Sequence, residues 1–326
     1  MSPRRLSARA VSLLPSLVLG VATMAATPIA PRRVADDVLV IFNAGSLARP
    51  LRSAADSFAA GRKITVQQEN AGSLETARKL TELGKIPDII ALADYDVFPQ
   101  LLMPKFTTWY VQFARNRMVL CYTDKSKHAG EITADNWYRI VTMPGVESGH
   151  SDPNLDPAGY RTLLVFQLAE RYYKQPGLAN KLAAAVSKRN IRPKSADLVA
   201  LLQTGELDYA WEYESVAQSV GLKYVKLPPQ IDLSDPAQTD TYATASVRVV
   251  GSTPADTIVI KGEPIIFGAS IPTNAPHRAL AEQFLAYLLS SAGRGVQRAQ
   301  MLDVLDKPIL VGSGAPASIL AVTTGR

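Results

Sequence analysis

The pentapeptide Asn-Ala-Gly-Ser-Leu occurs twice in this chain, at residues 43–47 and again at residues 70–74. Each copy follows a run typical of a β-strand, at residues 38–42 and 64–68, and precedes apolar residues at helical spacing. The chain therefore repeats a strand, a glycine turn and a helix start. This repetition predicts parallel strands joined by crossover helices, and hence an α/β fold.

Each of the two helix starts is suited to binding an anion. The first backbone N–H groups of a helix have no intrahelical partner, and the helix dipole is positive at this end. Ser46 and Ser73 each place a hydroxyl beside these groups. A single serine there is equally well explained as an N-cap, which stabilises its helix by about 1 kcal/mol. The duplication, with a glycine before each serine, favours two neutral anion traps that face one ligand.

The order of the predicted elements indicates two lobes. Residues 110–122 read as a strand that passes from a first lobe into a second, residues 265–271 form a buried strand, and a helix at 279–289 completes the first lobe. A chain that leaves one lobe, builds another and returns has its ligand in the cleft between them. We predict a signal peptide at residues 1–30, lobe I at residues 34–113 and 275–326, and lobe II at residues 114–274.

The N-terminus carries the pattern of a secretory signal peptide. Three arginines precede an apolar stretch at residues 10–26 that ends in small residues, and no acidic residue occurs before Asp36. The stretch has the length of a signal-peptide core, which argues against a retained membrane anchor. The one cysteine, Cys121, lies far from the cleavage region, so no thiol is available there for a lipid anchor. We expect the mature protein to be free in the periplasm.

Composition argues against nucleic acid as a partner. The formal net charge of +6 falls to +3 when the three arginines of the signal peptide are subtracted, because that segment has no acidic residue. The remaining Lys and Arg residues form no polybasic block and no run interleaved with aromatic residues. With 326 residues, 47% of them hydrophobic, the chain is long enough for about two domains with a large core.

A secreted serine hydrolase is the alternative from a different functional class. It would use Ser46 or Ser73 as nucleophile and would need a histidine base with an orienting acid. None of the three histidines, His128, His150 and His277, has a recognisable catalytic context, and no Gly-x-Ser-x-Gly elbow is present. The histidines also lack metal-ligand spacing. We therefore predict a monomeric binding protein, not an enzyme, without a cofactor.

Five short motifs resemble those of the molybdate/tungstate-binding proteins of ABC importers, and more specifically the WtpA type. Each motif is weak alone, but the five occur in the same order, and the similarity runs from about residue 38 to about residue 310. The resemblance implies a type II-like periplasmic binding fold, in which each lobe is a mixed sheet flanked by helices. It also implies closure over one oxyanion and delivery to a membrane permease. The motifs are residues 42–47, 71–73, 93–95, 156–161 and 205–209.

The resemblance also implies which residues line the site. Asp156 would bond to the molybdenum or tungsten of the bound oxyanion, although by itself it reads as the N-cap of a helix that begins with proline. Tyr213 by itself reads as a core residue. The family's second carboxylate falls where this chain has Ser195, with Asp197 close by. The full set carried over by position is Gly45, Ser46, Ser73, Asp156, Pro157, Ala158, Ser195 and Tyr213.

The missing second carboxylate bears on selectivity. Neutral donors normally hold a tetrahedral dianion, and a facing carboxylate repels it unless the carboxylate bonds to the central atom. Molybdenum and tungsten can expand beyond four oxygen ligands, whereas sulfur in sulfate cannot readily do so, so a carboxylate pair would exclude sulfate. With Asp156 alone we expect a weaker filter. Sulfate or another oxyanion therefore remains the alternative ligand.

Overall fold

The two copies of the pentapeptide lie side by side at the same register. The computed structural model describes residues 37–251 and 255–325, so the predicted signal peptide lies outside the described residues. The first two strands are parallel, with Asn43 opposite Asn70 and Ala44 opposite Ala71. The Asn43 side chain donates to the Asn70 side-chain oxygen at 2.8 Å. Both glycine turns therefore leave the sheet at the same edge.

The strands fall into two main sheets and one hairpin. In chain order they are β1 Asp37–Ala44, β2 Ile64–Ala71, β3 Ile89–Leu92, β4 Trp109–Arg115, β5 Met118–Tyr122, β6 Ser148–Ser151, β7 Ile191–Arg192, β8 Tyr209–Tyr213, β9 Lys223–Lys226, β10 Ser246–Val250, β11 Thr257–Lys261, β12 Ile266–Ser270, β13 Asp303–Gly312 and β14 Thr324–Gly325. The first sheet has the order β14-β13-β4-β12-β3-β1-β2, the second has the order β7-β6-β8-β5-β9, and β10 pairs with β11.

Helices cover these sheets. The α-helices are α1 Ala48–Ala59, α2 Ser73–Thr81, α3 Trp137–Ile140, α4 Pro157–Tyr172, α5 Leu178–Ala185, α6 Ala196–Thr204, α7 Glu214–Ser219, α8 Thr239–Tyr242, α9 Arg278–Leu289, α10 Ser291–Ala299 and α11 Ala317–Leu320. Short 3₁₀ turns at Gly45–Leu47, Lys188–Asn190 and Pro236–Gln238 and a π-helical turn at Phe98–Leu102 complete the elements. None of the helices in the described part of the chain is both long and apolar enough to span a membrane.

The two sheets share one topology. In the first, β1 pairs in parallel with β2 and β3, and β12 returns antiparallel beside β3. In the second, β6 pairs in parallel with β7 and β8, and β5 runs antiparallel beside β8. Each sheet thus contains one strand that has just arrived from the other lobe. The mixed sheets flanked by helices that we predicted are confirmed, and the carboxyl ends of the parallel strands form the natural site in each lobe.

The two connections between the lobes lie next to each other. The predicted strand at 110–122 is broken at Asn116 and Arg117 into β4 and β5, and the Asn116 N–H donates to the Ile265 carbonyl at 3.2 Å. Because β12 pairs within the first sheet, the chain re-enters lobe I ahead of residue 266, earlier than the boundary at residue 274 stated above. We therefore propose that, of the described residues, lobe I comprises 37–115 and 264–325 and lobe II comprises 116–251 and 255–262.

Candidate functional site

The lobe I wall of the candidate site is built at the ends of β1 and β2. Ser46 lies in the 3₁₀ turn after β1, is buried, and its Oγ has no hydrogen-bond partner. Ser73 is the first residue of α2 and is fully buried, and its Oγ accepts the Ala93 N–H at 2.9 Å. Neither hydroxyl caps its own helix. The N-cap explanation of these serines is therefore wrong.

The second helix start is not an open anion trap. The N–H groups of Leu74 and Glu75 both donate to the carbonyl of Leu155 in lobe II, at 3.1 and 3.2 Å. These two backbone N–H groups therefore hold the lobes together and do not face a ligand. The Ser73 hydroxyl is the polar group of this helix start that can still donate to one.

Asp156 forms the centre of the lobe II wall. Its Oδ1 accepts the Ala158 N–H at 3.4 Å and so caps α4, while Pro157 has no N–H to offer. Its Oδ2 accepts the N–H of Ser195, the N-cap residue of α6, at 2.7 Å. Burial raises the pKa of Asp156, and these N–H donors lower it in part. One carboxyl group thus joins the starts of two helices at the carboxyl edge of the second sheet.

A second acid, Glu212, lies in β8 beside Asp156, and the expectation of a single carboxylate on this wall is wrong. Glu212 is only 1% exposed. Its Oε2 accepts the Tyr213 N–H at 3.1 Å, and its Oε1 has no aligned donor. Burial raises the pKa of Glu212 to about 8; the nearby Ser195 hydroxyl lowers the pKa, and the Asp156 charge adds to the rise. The signal in the sequence was an acid within a strand of otherwise apolar and aromatic residues.

Tyr213 is held by a buried arginine that sequence reasoning missed. Arg161 Nη1 donates to the Tyr213 hydroxyl at 2.7 Å and to the Ala93 carbonyl at 2.6 Å. Its Nη2 lies 3.2 Å from Asp94 Oδ2, and the Tyr160 hydroxyl donates to the same carboxylate oxygen. Burial raises the pKa of Tyr213, so its hydroxyl keeps its proton. Arg161 on α4 therefore connects the Tyr213 hydroxyl to the end of β3 in the other lobe.

Further contacts across the cleft show that the lobes are closed. A Cβ added to Gly45 would lie 3.6 Å from the Ala196 Cβ, so the first glycine turn packs against the start of α6. Gly72 approaches Leu155 so closely that an added Cβ would lie 2.1 Å from the Leu155 carbonyl oxygen. The glycine of each pentapeptide is therefore a point of contact with lobe II.

The sequence-predicted residues are linked by a continuous chain of contacts. From lobe I, Ser73 bonds to Ala93, and the Ala93 carbonyl accepts from Arg161. Arg161 also donates to Tyr213, whose N–H donates to Glu212. Glu212 lies beside Ser195 and Asp156, which bond to each other, and Gly45 packs against Ala196, the residue after Ser195. Ser46 follows Gly45, and Pro157 and Ala158 follow Asp156. The residues carried over by position therefore occupy one interlobe region.

The histidines are placed elsewhere. His128 lies 3.3 Å from Glu131, His150 Nδ1 lies 2.7 Å from the Ser151 carbonyl, and His277 lies 3.1 Å from Asp88. The structure thus gives each histidine a neighbour other than Ser46 or Ser73. Within residues 37–251 and 255–325, no group of three or more His, Cys, Asp and Glu side chains is arranged to hold a metal ion.

Comparison with known proteins decides the family. The family model described as bacterial extracellular solute-binding protein matches residues 39–300. The chain belongs to this family. It is 41% identical over 302 residues to "Molybdate/tungstate-binding protein WtpA" of Pyrococcus abyssi, covering 84% of this chain and 87% of that one. It is 45% identical over 267 residues to an "Uncharacterized solute-binding protein" of Petrotoga mobilis, covering 81% and 83% of the two chains.

Solved structures agree on the fold of this solute-binding protein. The periplasmic molybdate-binding protein of Azotobacter vinelandii superposes with a TM-score of 0.55 at 17% identity, covering 82% of this chain and 100% of that one. The sulfate-binding protein SubI of Mycobacterium tuberculosis superposes with a TM-score of 0.57 at 11% identity, covering 83% and 88%. At such identities the likeness shows the two-lobed fold alone.

Proposed function

We propose that this solute-binding protein captures molybdate or tungstate between its lobes and delivers the oxyanion to the permease of an ABC importer. The observation that carries the proposal is the pairing of two walls in one closed cleft. Lobe I supplies the unpaired Ser46 hydroxyl and the Ser73 hydroxyl, and lobe II supplies the buried Asp156 carboxyl. Neutral donors facing an acid suit an oxyanion whose central atom accepts further oxygen ligands.

The residues of the site divide by role. Ser46 and Ser73 donate hydroxyl protons to the oxyanion, and the glycine turn at Gly45 lets the backbone approach it. On the lobe II side, the helix start at Pro157 and Ala158 and the Tyr213 hydroxyl face the oxyanion when the lobes close. The Tyr213 oxygen already accepts from Arg161, so its own proton is free to point at the ligand.

Asp156 and Ser195 have a different relation to the ligand. The Ser195 N–H is committed to Asp156 Oδ2 at 2.7 Å, so Ser195 orients the acid. The Asp156 carboxylate would bond to the molybdenum or tungsten atom. Closure removes water from the site, and each hydrogen bond to the oxyanion is then stronger in the lower dielectric.

The surroundings in which the protein works follow from its family and its N-terminus. Solute-binding proteins of this family act outside the cytoplasmic membrane, and the predicted signal peptide at residues 1–30 would carry the chain there. We propose that the mature protein is a monomer in the periplasm, needs no cofactor, and has the oxyanion and the permease as its partners.

Calorimetric titration of the mature protein with molybdate, tungstate, sulfate and phosphate tests this proposal. We expect molybdate and tungstate to bind with 1:1 stoichiometry and Ser46→Ala to weaken both, because the variant loses a donor. Lys105→Ala, a change at an exposed lobe I residue, is the matched control. Binding of sulfate alone would overturn the choice of ligand and support the sulfate alternative, while no binding of any oxyanion would overturn the function.

A further inference from the structure

Two arginines of lobe I reach across the closed cleft to lobe II. Arg49 lies in the first turn of α1, the helix that follows Ser46, and Arg78 lies on α2, the helix that begins with Ser73. Arg49 Nη1 donates to the Ser219 carbonyl of lobe II at 2.6 Å. Each copy of the repeated pentapeptide thus leads into a helix that carries an arginine close to the serine of the ligand site.

Arg78 holds two segments of lobe II at once. Its Nη1 donates to the Asn154 carbonyl at 2.7 Å, its Nη2 to the Val250 carbonyl at 2.5 Å, and its Nε to the Gly251 carbonyl at 3.2 Å. The Asn154 side-chain oxygen in turn accepts the Val250 N–H at 3.0 Å. One guanidinium therefore ties α2 to the end of β10 and to the loop that leads into Asp156.

The partners of both arginines across the cleft are backbone carbonyls and not carboxylates. Ser219 is the last residue of α7, where a helix leaves its carbonyls without partners. Arg49 forms no ion pair with any residue that the structure describes. Arg78 has Glu82 of its own helix at 3.9 Å, and the Asp152 charge also acts on it. A carbonyl holds a guanidinium without neutralising it, and opening of the cleft must break these contacts.

The ligand site itself offers little attraction to an approaching dianion. Its lobe II wall carries the buried acids Asp156 and Glu212, and its buried cation, Arg161, is paired with Asp94. The serine hydroxyls of lobe I are neutral. Attraction between charges is what raises the association rate of a charged ligand above that of a neutral one. The two arginines that cross the cleft are therefore the cations best placed to attract the oxyanion when the cleft is open.

We propose that Arg49 and Arg78 act in both steps of ligand capture. In the open protein their charges attract the oxyanion to the two helix starts of lobe I, and in the closed protein the same side chains hold lobe II over it. This inference rests on the proposed function. Both are positioning residues, since they bond to lobe II carbonyls. They set the rates of capture and release for divalent oxyanions and leave the choice among these anions to the rest of the site.

Stopped-flow mixing with molybdate at low and high salt tests the first step. By Coulomb's law, one unit charge about 10 Å from a dianion in water changes the population of the encounter by about fourfold. We expect Arg49→Gln and Arg78→Gln each to lower the association rate constant by up to about fourfold at about 20 mM salt. The difference should vanish at about 0.5 M salt, where the Debye length is only about 4 Å.

Arg78→Lys separates the charge from the geometry. Lysine keeps the positive charge, but its single ammonium group cannot reach three carbonyls as the planar guanidinium does. We expect an association rate constant within about twofold of wild type and a dissociation rate constant about tenfold higher or more. Arg171→Gln is the matched control, because it removes the same charge from an exposed residue at the end of α4 remote from Asp156. It should leave both rates unchanged.

The outcomes separate the inference from the function on which it rests. Wild-type protein that binds no oxyanion overturns the proposed function. If wild type binds molybdate, glutamine variants that associate at the wild-type rate at low salt overturn the attraction, and so does a slower association that persists at high salt. Release at the wild-type rate from Arg78→Lys overturns the holding of lobe II. If the Arg78 variants do not fold, Arg49→Gln, a change at an exposed residue, still decides both steps, because it removes a charge and the contact with Ser219.

Discussion

Replacing Gly72 with alanine should hinder closure of the cleft without disturbing either lobe. Gly72 has φ −65° and ψ 151°, a conformation that alanine adopts readily, so the change introduces no backbone strain. The added Cβ would lie 2.1 Å from the Leu155 carbonyl oxygen and 2.6 Å from its carbonyl carbon, both in the opposite lobe. The clash is therefore confined to the closed form.

The size of the effect follows from these distances. Cβ contacts under 3.0 Å are essentially never seen, so the Leu155 carbonyl must retreat from 2.1 to at least 3.0 Å, or by about 0.9 Å. The same carbonyl accepts the N–H groups of Leu74 at 3.1 Å and Glu75 at 3.2 Å, and the retreat takes both contacts to about 4 Å, beyond hydrogen-bond range. At about 1 kcal/mol each, two lost bonds cost the closed form about 2 kcal/mol, or about 30-fold in affinity.

The measurements are calorimetric titration with molybdate and small-angle scattering with and without ligand. We expect Gly72→Ala to bind molybdate about 30-fold more weakly and to melt at the wild-type temperature when empty. Gly130→Ala is the control, because an added Cβ there meets nothing within 4 Å and the φ angle of Gly130 is not positive. Wild-type affinity in a folded Gly72→Ala variant would show that closure does not depend on this contact.

Three further changes test the site and its pH dependence. Arg161→Lys should weaken molybdate binding by about tenfold or more in calorimetry, because a lysine cannot reach the Ala93 carbonyl, the Tyr213 hydroxyl and Asp94 together; unchanged affinity would refute the positioning role of Arg161. Arg78→Ala removes donors to the carbonyls of Asn154, Val250 and Gly251 and should speed molybdate release in stopped-flow measurements; a wild-type rate would contradict this. The raised pKa of Glu212 means that its contribution to the stability of the empty protein is present below about pH 4.5 and is lost as pH rises towards about 8. Glu212→Gln should therefore flatten urea unfolding free energies over that range, and an unchanged slope would count against the shift.

The sequence predicted much of lobe I because its signals are local. The turn after each of the first two strands and the helix that follows it come from short patterns of apolar, glycine and serine residues. We propose a lobe boundary earlier than residue 274 because β12 pairs with β3 and β4, and this pairing joins segments far apart in the chain. The partner of a strand cannot be predicted from the residues of that strand alone, because pairing depends on its tertiary context.

The lobe II wall of the site was harder to predict because it also depends on contacts between segments far apart in the chain. The motif that contains Asp156 also contains Arg161, but the role of the arginine depends on Ala93, which follows β3, and on Tyr213 at the end of β8. Glu212 was overlooked because the role of a single acid in a strand cannot be assigned until its neighbours in space are known. Its relation to Asp156 arises only where β6 and β8 run in parallel and end together.

By itself, the repeated Asn-Ala-Gly-Ser-Leu determined that two strands end in two glycine turns, each followed by a helix start with a serine, because hydrophobic period, turn and helix start are properties of adjacent residues. Tertiary structure alone decided how these turns are used. Gly72 and the first N–H groups of α2 meet the Leu155 carbonyl, and Asp156 meets Ser195 and Glu212, only when the two lobes are formed and closed. Contacts between segments about 40 to 80 residues apart depend on the packing of whole sheets, which no short stretch of sequence encodes.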